Sequence, residues 1–169
     1  TLSPIRNCDP SSLFPQRNPL PYWFNAYQIQ YSCDVYEKDN IAWSLLVFYE
    51  LWNKEYGDTR GLVRNALKRL QITWGKEVRL VNNVYSIDGE FLKSASVAGL
   101  VEDETSIWVL AREYISDTAL VHELVHIALL HSCGSADPDH EGVAYACWTP
   151  DHSSFIEMVN RELKLKYQL

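Results

Sequence analysis

The chain has 169 residues, of which 47% are hydrophobic and 22% charged, and its net charge is −7. That length suits one domain with a sizeable core, and that composition excludes a disordered or low-complexity protein. The acidic balance argues against a nucleic-acid partner, because such binding needs Lys and Arg to neutralise phosphates and only Arg60, Arg64, Lys68 and Arg69 cluster here.

No apolar run reaches the roughly 18 residues of a membrane span. Four cysteines, Cys8, Cys33, Cys133 and Cys147, allow three connectivities, of which Cys8–Cys33 and Cys133–Cys147 close the smallest loops. Four free thiols in a reducing compartment are the other arrangement. The chain opens on Thr1 without an initiator Met, so the expectation is an exported protein (secreted, periplasmic or cell-surface) whose leader has been removed, with a lipid anchor on a removed residue left open.

Residues 1–38 hold five of the seven prolines, interleaved with Tyr22, Trp23, Phe24, Tyr27, Tyr31 and Tyr36. Proline at this density forbids a long helix and the aromatics demand burial, so an arm packed over a domain of residues 39–169 is expected, stapled by Cys8 to Cys33. Asp39 or Asn40 can cap a helix that carries Ile41, Leu45, Phe48, Leu51 and Trp52 at helical spacing and stops at Gly57. A second helix follows over 59–70. Stretches 72–81, 84–87, 91–100 and 106–111 alternate as strands do, with turn signals at Asn82-Asn83, Asp88-Gly89 and 102–104, so a mostly antiparallel meander is the simplest arrangement. Ser116 or Asp117 is placed to cap the next helix, and Gly134 to close it. Thr149 caps, and Pro150 opens, the last one. Helices and strands in separate runs make the fold class α+β.

The helix between Asp117 and Gly134 carries His122-Glu123-Leu124-Val125-His126. Residues four apart share one helical face, so both imidazoles can converge on one metal ion. Glu123 stands beside that axis, where it can take a proton from a metal-bound water. Ala119, Leu120, Val121, Leu124, Val125, Ile127, Ala128, Leu129 and Leu130 make the helix apolar nearly all round, the mark of a buried segment. Two histidines and a glutamate inside such a segment need a partner, and a cation satisfies them together.

This H-E-x-x-H helix, with a strand just upstream and a further His downstream, resembles a small bacterial zincin metallopeptidase, and its spacing also has something of the SprT-like proteases. The resemblance covers roughly residues 40–165. It implies a small, mostly antiparallel sheet packed on a central active-site helix with flanking helices, and an edge strand, 106–111 or a neighbour, able to pair with an extended peptide. It also implies one catalytic zinc, with Glu123 activating the metal-bound water to hydrolyse peptide bonds of a protein or peptide substrate. The lack of a basic surface separates the chain from SprT-like proteins that act on DNA-bound substrates. A monomer is expected. Two rivals stay open: an exported zinc amidase or peptidase acting on cell-wall peptides, and a non-catalytic interaction domain with a structural zinc.

A catalytic zinc takes three protein ligands and keeps one position open. His131 lies five residues past His126 and is turned off the ligand face. His140, with 13 residues between it and His126, sits in a loop that a Cys133–Cys147 bridge would clamp towards the helix, with Gly142 permitting close approach. That makes it the favoured third ligand over His152, whose H-x-x-F pattern with Phe155 resembles the SprT-like third-ligand segment. Glu141 or Glu157 as third ligand would bring the chain closer to gluzincins. Asp137 and Asp139 are candidate acceptors for ligand N–H groups. Tyr145, or Tyr114, is a candidate oxyanion stabiliser.

Overall fold

The computed structural model describes residues 14–17, 28–31, 36, 38–140 and 147–169, with side chains for 36, 40–140 and 147–169. Expectations for Cys8–Cys33, Glu141, Gly142, Tyr145 and most of the N-terminal arm lie outside the described residues.

Strands β1 (Phe14–Arg17), β2 (Gln28–Tyr31), β3 (Gln71–Gly75), β6 (Gly99–Asp103) and β7 (Ser106–Leu110) form one sheet in the order β1-β2-β3-β7-β6. β4 (Arg79–Tyr85) and β5 (Phe91–Val97) form a separate antiparallel hairpin. The helices are α1 (Lys38–Glu55), α2 (Leu62–Lys68), α3 (Leu120–Cys133) and α4 (Pro150–Tyr167). The expected α+β class, a small sheet beside a central helix, is therefore the observed one. None of the described helices is long and apolar enough to cross a membrane.

The strand connectivity departs from the expected meander. Antiparallel pairing holds at β1–β2, β4–β5 and β6–β7, but β3 runs parallel to both β2 and β7, with Gln71 opposite Ser106 and Gly75 opposite Leu110. The expected strand 72–81 breaks after Gly75 because its two halves have different environments. Ile72 and Trp74 are fully buried, whereas Arg79 to Tyr85 offers no continuous core face. Gly75 is also where the Trp108 indole crosses β3, and a Cβ there would fall inside the ring's contact distance. β7 lies between β3 and β6, so the edge strand near the active helix is its neighbour β6.

α3 is the most buried helix. Leu120, Val121, Leu124, Val125 and Ile127 have no exposed surface, and α2, α4 and β6 pack around it. Its start differs from the expectation. Ser116 and Asp117 belong to a 3-10 turn, Ile115–Asp117, and Thr118 Oγ1 accepts the Leu120 N–H at 3.2 Å. The tight turn uses up the residues that would otherwise have capped the helix. Gly134 ends α3 at φ 96°, a left-handed position that glycine takes without Cβ strain. α1 begins one residue before Asp39, so Asp39 and Asn40 lie inside it. Thr149 caps α4 with Pro150 in its first turn, as expected.

Candidate metal centre

His122 and His126 project from the same face of α3, and the loop after Gly134 brings His140 against them. The Nε2 atoms are 3.2 Å apart for His122 and His126, 3.1 Å for His122 and His140, and 3.0 Å for His126 and His140. The loop turns back through left-handed backbone at Asp137 (φ 45°) and His140 (φ 62°). Such positions cost a non-glycine residue free energy, and they persist where the surrounding structure enforces them.

The ring nitrogens facing away from the centre settle the chemistry of those facing inward. His126 Nδ1 lies 2.6 Å from the Ala136 carbonyl oxygen, and His140 Nδ1 lies 3.0 Å from the Ser86 carbonyl oxygen at the end of β4. A carbonyl only accepts, so both Nδ1 atoms carry the proton and both Nε2 atoms present lone pairs. Two lone pairs at 3.0 Å repel unless a cation lies between them. Nitrogens 3.0–3.2 Å apart match the spacing of ligands on an ion with bonds of about 2.0–2.1 Å, the usual Zn–N length. The donor set therefore fits a metal ion.

Burial reinforces this state. It brings the His122 imidazole down to about 4, helped by the neighbouring His140, and His126 down to about 3, helped by His122 and opposed by the Ala136 carbonyl. His140 is lowered by burial too, with Ser86 and Asp139 acting against the shift. All three are neutral near pH 7, the form that binds metal.

Glu123 is 5% exposed, and burial pushes its carboxyl up to about 8. It sits beneath β6, where a Cβ added to Gly99 would stand 2.7 Å from Glu123 Oε2. Glu123, His122 and His126 line a cavity of about 770 Å³, walled by Val84 and Leu92 of the hairpin, Leu100 of β6, and Ile156 and Asn160 of α4.

Three supports of the site were not legible in the sequence. The buried Trp148 indole packs against all three imidazoles, at centroid distances of 5.2, 4.7 and 5.0 Å from His122, His126 and His140. Ser86 comes from a hairpin remote in sequence, and Gly99 gives clearance to Glu123. Asp137 has a role other than the expected one. The expected acceptors for the ligand N–H groups were Asp137 and Asp139, whereas backbone carbonyls of Ala136 and Ser86 fill that role at His126 and His140. Asp137 Oδ2 instead accepts the backbone N–H groups of Cys147 and Trp148, at 2.7 Å each. One carboxylate oxygen of the buried Asp137 thus satisfies both amides.

The remaining histidines stand apart. His131 Nε2 meets the Glu104 carbonyl at 2.7 Å. His152 Nδ1 accepts the Thr149 N–H at 3.0 Å, and its ring stacks on Tyr56 at 4.8 Å. It caps α4 and is not part of the triad, so the H-x-x-F pattern reflects helix capping and packing. Glu157 is exposed on α4. Tyr114 lies under the Lys164 ammonium, 5.2 Å from ring centre to nitrogen, and is not among the cavity-lining residues. The expected Cys133–Cys147 disulfide is present, with Cα atoms 5.9 Å apart.

Two imidazoles and a buried glutamate on one H-E-x-x-H helix, with His140 from the following loop, make an active site of the zinc-metallopeptidase type, able to coordinate a catalytic metal ion. No protein-family model matches the chain, and neither a curated protein nor a solved structure matches it.

Proposed function

We propose that this protein is a peptidase that carries one catalytic zinc ion on His122, His126 and His140 and uses Glu123 as general base and acid against a protein or peptide substrate. The observation that carries the reading is the convergence of three Nε2 atoms within 3.2 Å of one another while the Glu123 carboxyl lines the same cavity. Among the described residues three protein ligands converge, a set that leaves a coordination position open, as catalysis requires and a closed structural site does not allow.

A zinc ion there would polarise the scissile carbonyl, make a bound water acidic near neutral pH and draw the proton off Glu123. The chain's own groups do the rest. Glu123, held beneath β6, takes the proton of the attacking water and delivers it to the leaving amine nitrogen as the C–N bond breaks. The Ala136 and Ser86 carbonyls hold His126 and His140 in the ligand tautomer. β6, the edge nearest α3 among the described strands, offers main-chain groups to an extended peptide crossing the cavity. The Cys133–Cys147 bridge supports placing the protein outside a reducing compartment.

The test pairs metal content with turnover of a quenched peptide library. Wild type is expected to hold about one zinc per chain, and Glu123→Gln to keep the zinc while losing about 10²- to 10⁴-fold in rate. His140→Ala is expected to lose the metal, His152→Ala to keep it. Unchanged hydrolysis in zinc-loaded Glu123→Gln would falsify the proposed mechanism.

A further inference from the structure

We infer that the Cys133–Cys147 disulfide gates the metal centre, so that the oxidised chain binds zinc more tightly than the reduced one. This regulation rests on the metallopeptidase reading.

The inference starts from how the third ligand is held. His122 and His126 are fixed by α3 itself, but His140 belongs to the loop that leaves α3 at Gly134. Beside the bond from His126 to the Ala136 carbonyl, two ties that run through residues 147 and 148 hold that loop. One is covalent, from Cys133 at the last position of α3 to Cys147. The other is Asp137, whose carboxylate accepts the Cys147 and Trp148 amides while its own N–H bonds to Ser135 Oγ and its carbonyl accepts the His140 N–H. Residues 147 and 148 are therefore a hub. They are bonded to α3 through the bridge, they anchor the turn that carries His140, and they supply the indole against which all three imidazoles pack.

Breaking the bridge leaves that hub held only by non-covalent contacts. The segment of 14-residue separation then closes with no covalent constraint and samples more conformations. Apparent metal affinity falls in proportion to the fraction of molecules with His140 in place. By linkage the effect is reciprocal, so bound zinc makes the disulfide harder to reduce by the same factor.

The exchange is balanced for a thiol reductant such as glutathione. Cys133 is exposed and Cys147 is 4% exposed, so the incoming thiolate attacks Cys133 Sγ and displaces Cys147 as a thiolate. A second thiolate attacks the mixed disulfide and releases Cys133. Two electrons pass to the protein, two thiols become one disulfide, and the Cys133 and Cys147 thiolates take up protons according to their pKa values.

Two measurements on the full chain test this. Zinc affinity, by competition with a chelating indicator, is compared between the oxidised wild type and the double variant Cys133→Ser, Cys147→Ser. The variant is expected to bind about 10- to 100-fold more weakly, the range for losing a support of a metal ligand. Separately, wild type is equilibrated in glutathione buffers with and without saturating free zinc. Thiol trapping and peptide mass mapping then read Cys133 and Cys147 apart from Cys8 and Cys33. The same factor predicts a midpoint about 30 to 60 mV more negative with zinc. This second arm decides the matter if the double variant does not fold. Equal or tighter zinc binding without the bridge, together with an unmoved midpoint, overturns the gate and leaves the metallopeptidase reading standing. An oxidised wild type that takes up no zinc overturns both.

Discussion

One hydrogen atom on Gly99 is all that separates the edge strand from Glu123. A methyl group there would lie 2.7 Å from the Glu123 carboxylate oxygen and 2.7 Å from the Ala119 Cβ, closer than either contact tolerates. Gly99→Ala therefore has to move the carboxylate, β6, or both. Because the three atoms nearest such a methyl belong to Ala119 and Glu123, zinc content is expected to stay at the wild-type level while kcat falls about 10²-fold, the typical consequence of misplacing a reacting group by about 1 Å. Metal analysis beside steady-state kinetics checks this, and an unaltered kcat would remove Gly99 from the account. Gly75 uses the same device for a different purpose, since it admits the Trp108 indole and its substitution should lower stability.

At the scale of elements, α4 depends on a histidine for its start. The Thr149 N–H donates to His152 Nδ1, which requires a neutral imidazole. Burial lowers the His152 pKa below its ordinary value, and Asp151 partly opposes the shift. Tyr56 covers the ring from the turn after α1, and its hydroxyl is bonded to Asp151. The sign follows from linkage. A histidine depressed in the folded state contributes stability that is complete above its unfolded pKa of about 6.5 and is lost as pH falls through the lower folded value. Gln at this position can accept the same N–H without titrating. Denaturant unfolding of the zinc-loaded protein from pH 7.5 to 5 should therefore show wild type losing more stability than His152→Gln. Parallel losses would mean that His152 does not titrate in this range. The β4–β5 hairpin is the contrasting element. Among the described residues it joins no other strand, and it leaves Leu80, Ile87 and Phe91 more than half exposed, yet the Ser86 carbonyl at its tip sets the tautomer of His140.

Over the whole molecule, the candidate metal site is the point where elements distant in sequence meet. A zinc ion on the triad would join α3 to the His140 loop and, through the Ser86 carbonyl, to the hairpin. At free zinc a thousandfold above its dissociation constant, binding to the native state alone adds about 4 kcal/mol. In a chain of this length that raises Tm by roughly 8 to 16 °C. Scans with zinc and with a chelator should show this gap, and His140→Ala should close most of it. A Tm indifferent to chelation would contradict a ligand set spanning these elements. The sequence by itself determined what is local. Two histidines and a glutamate within five residues of an apolar helix, Gly134 at its end, Thr149-Pro150 at the next helix and a short loop between two cysteines all act over a few residues, where helical periodicity and loop length leave little freedom. Only the tertiary structure decided which remaining histidine completes the triad, which carbonyls orient it, why residue 99 must be glycine, and that β3 pairs with β7 and not with β4. Those outcomes depend on the path of the chain between distant segments, and no spacing in the sequence records that path.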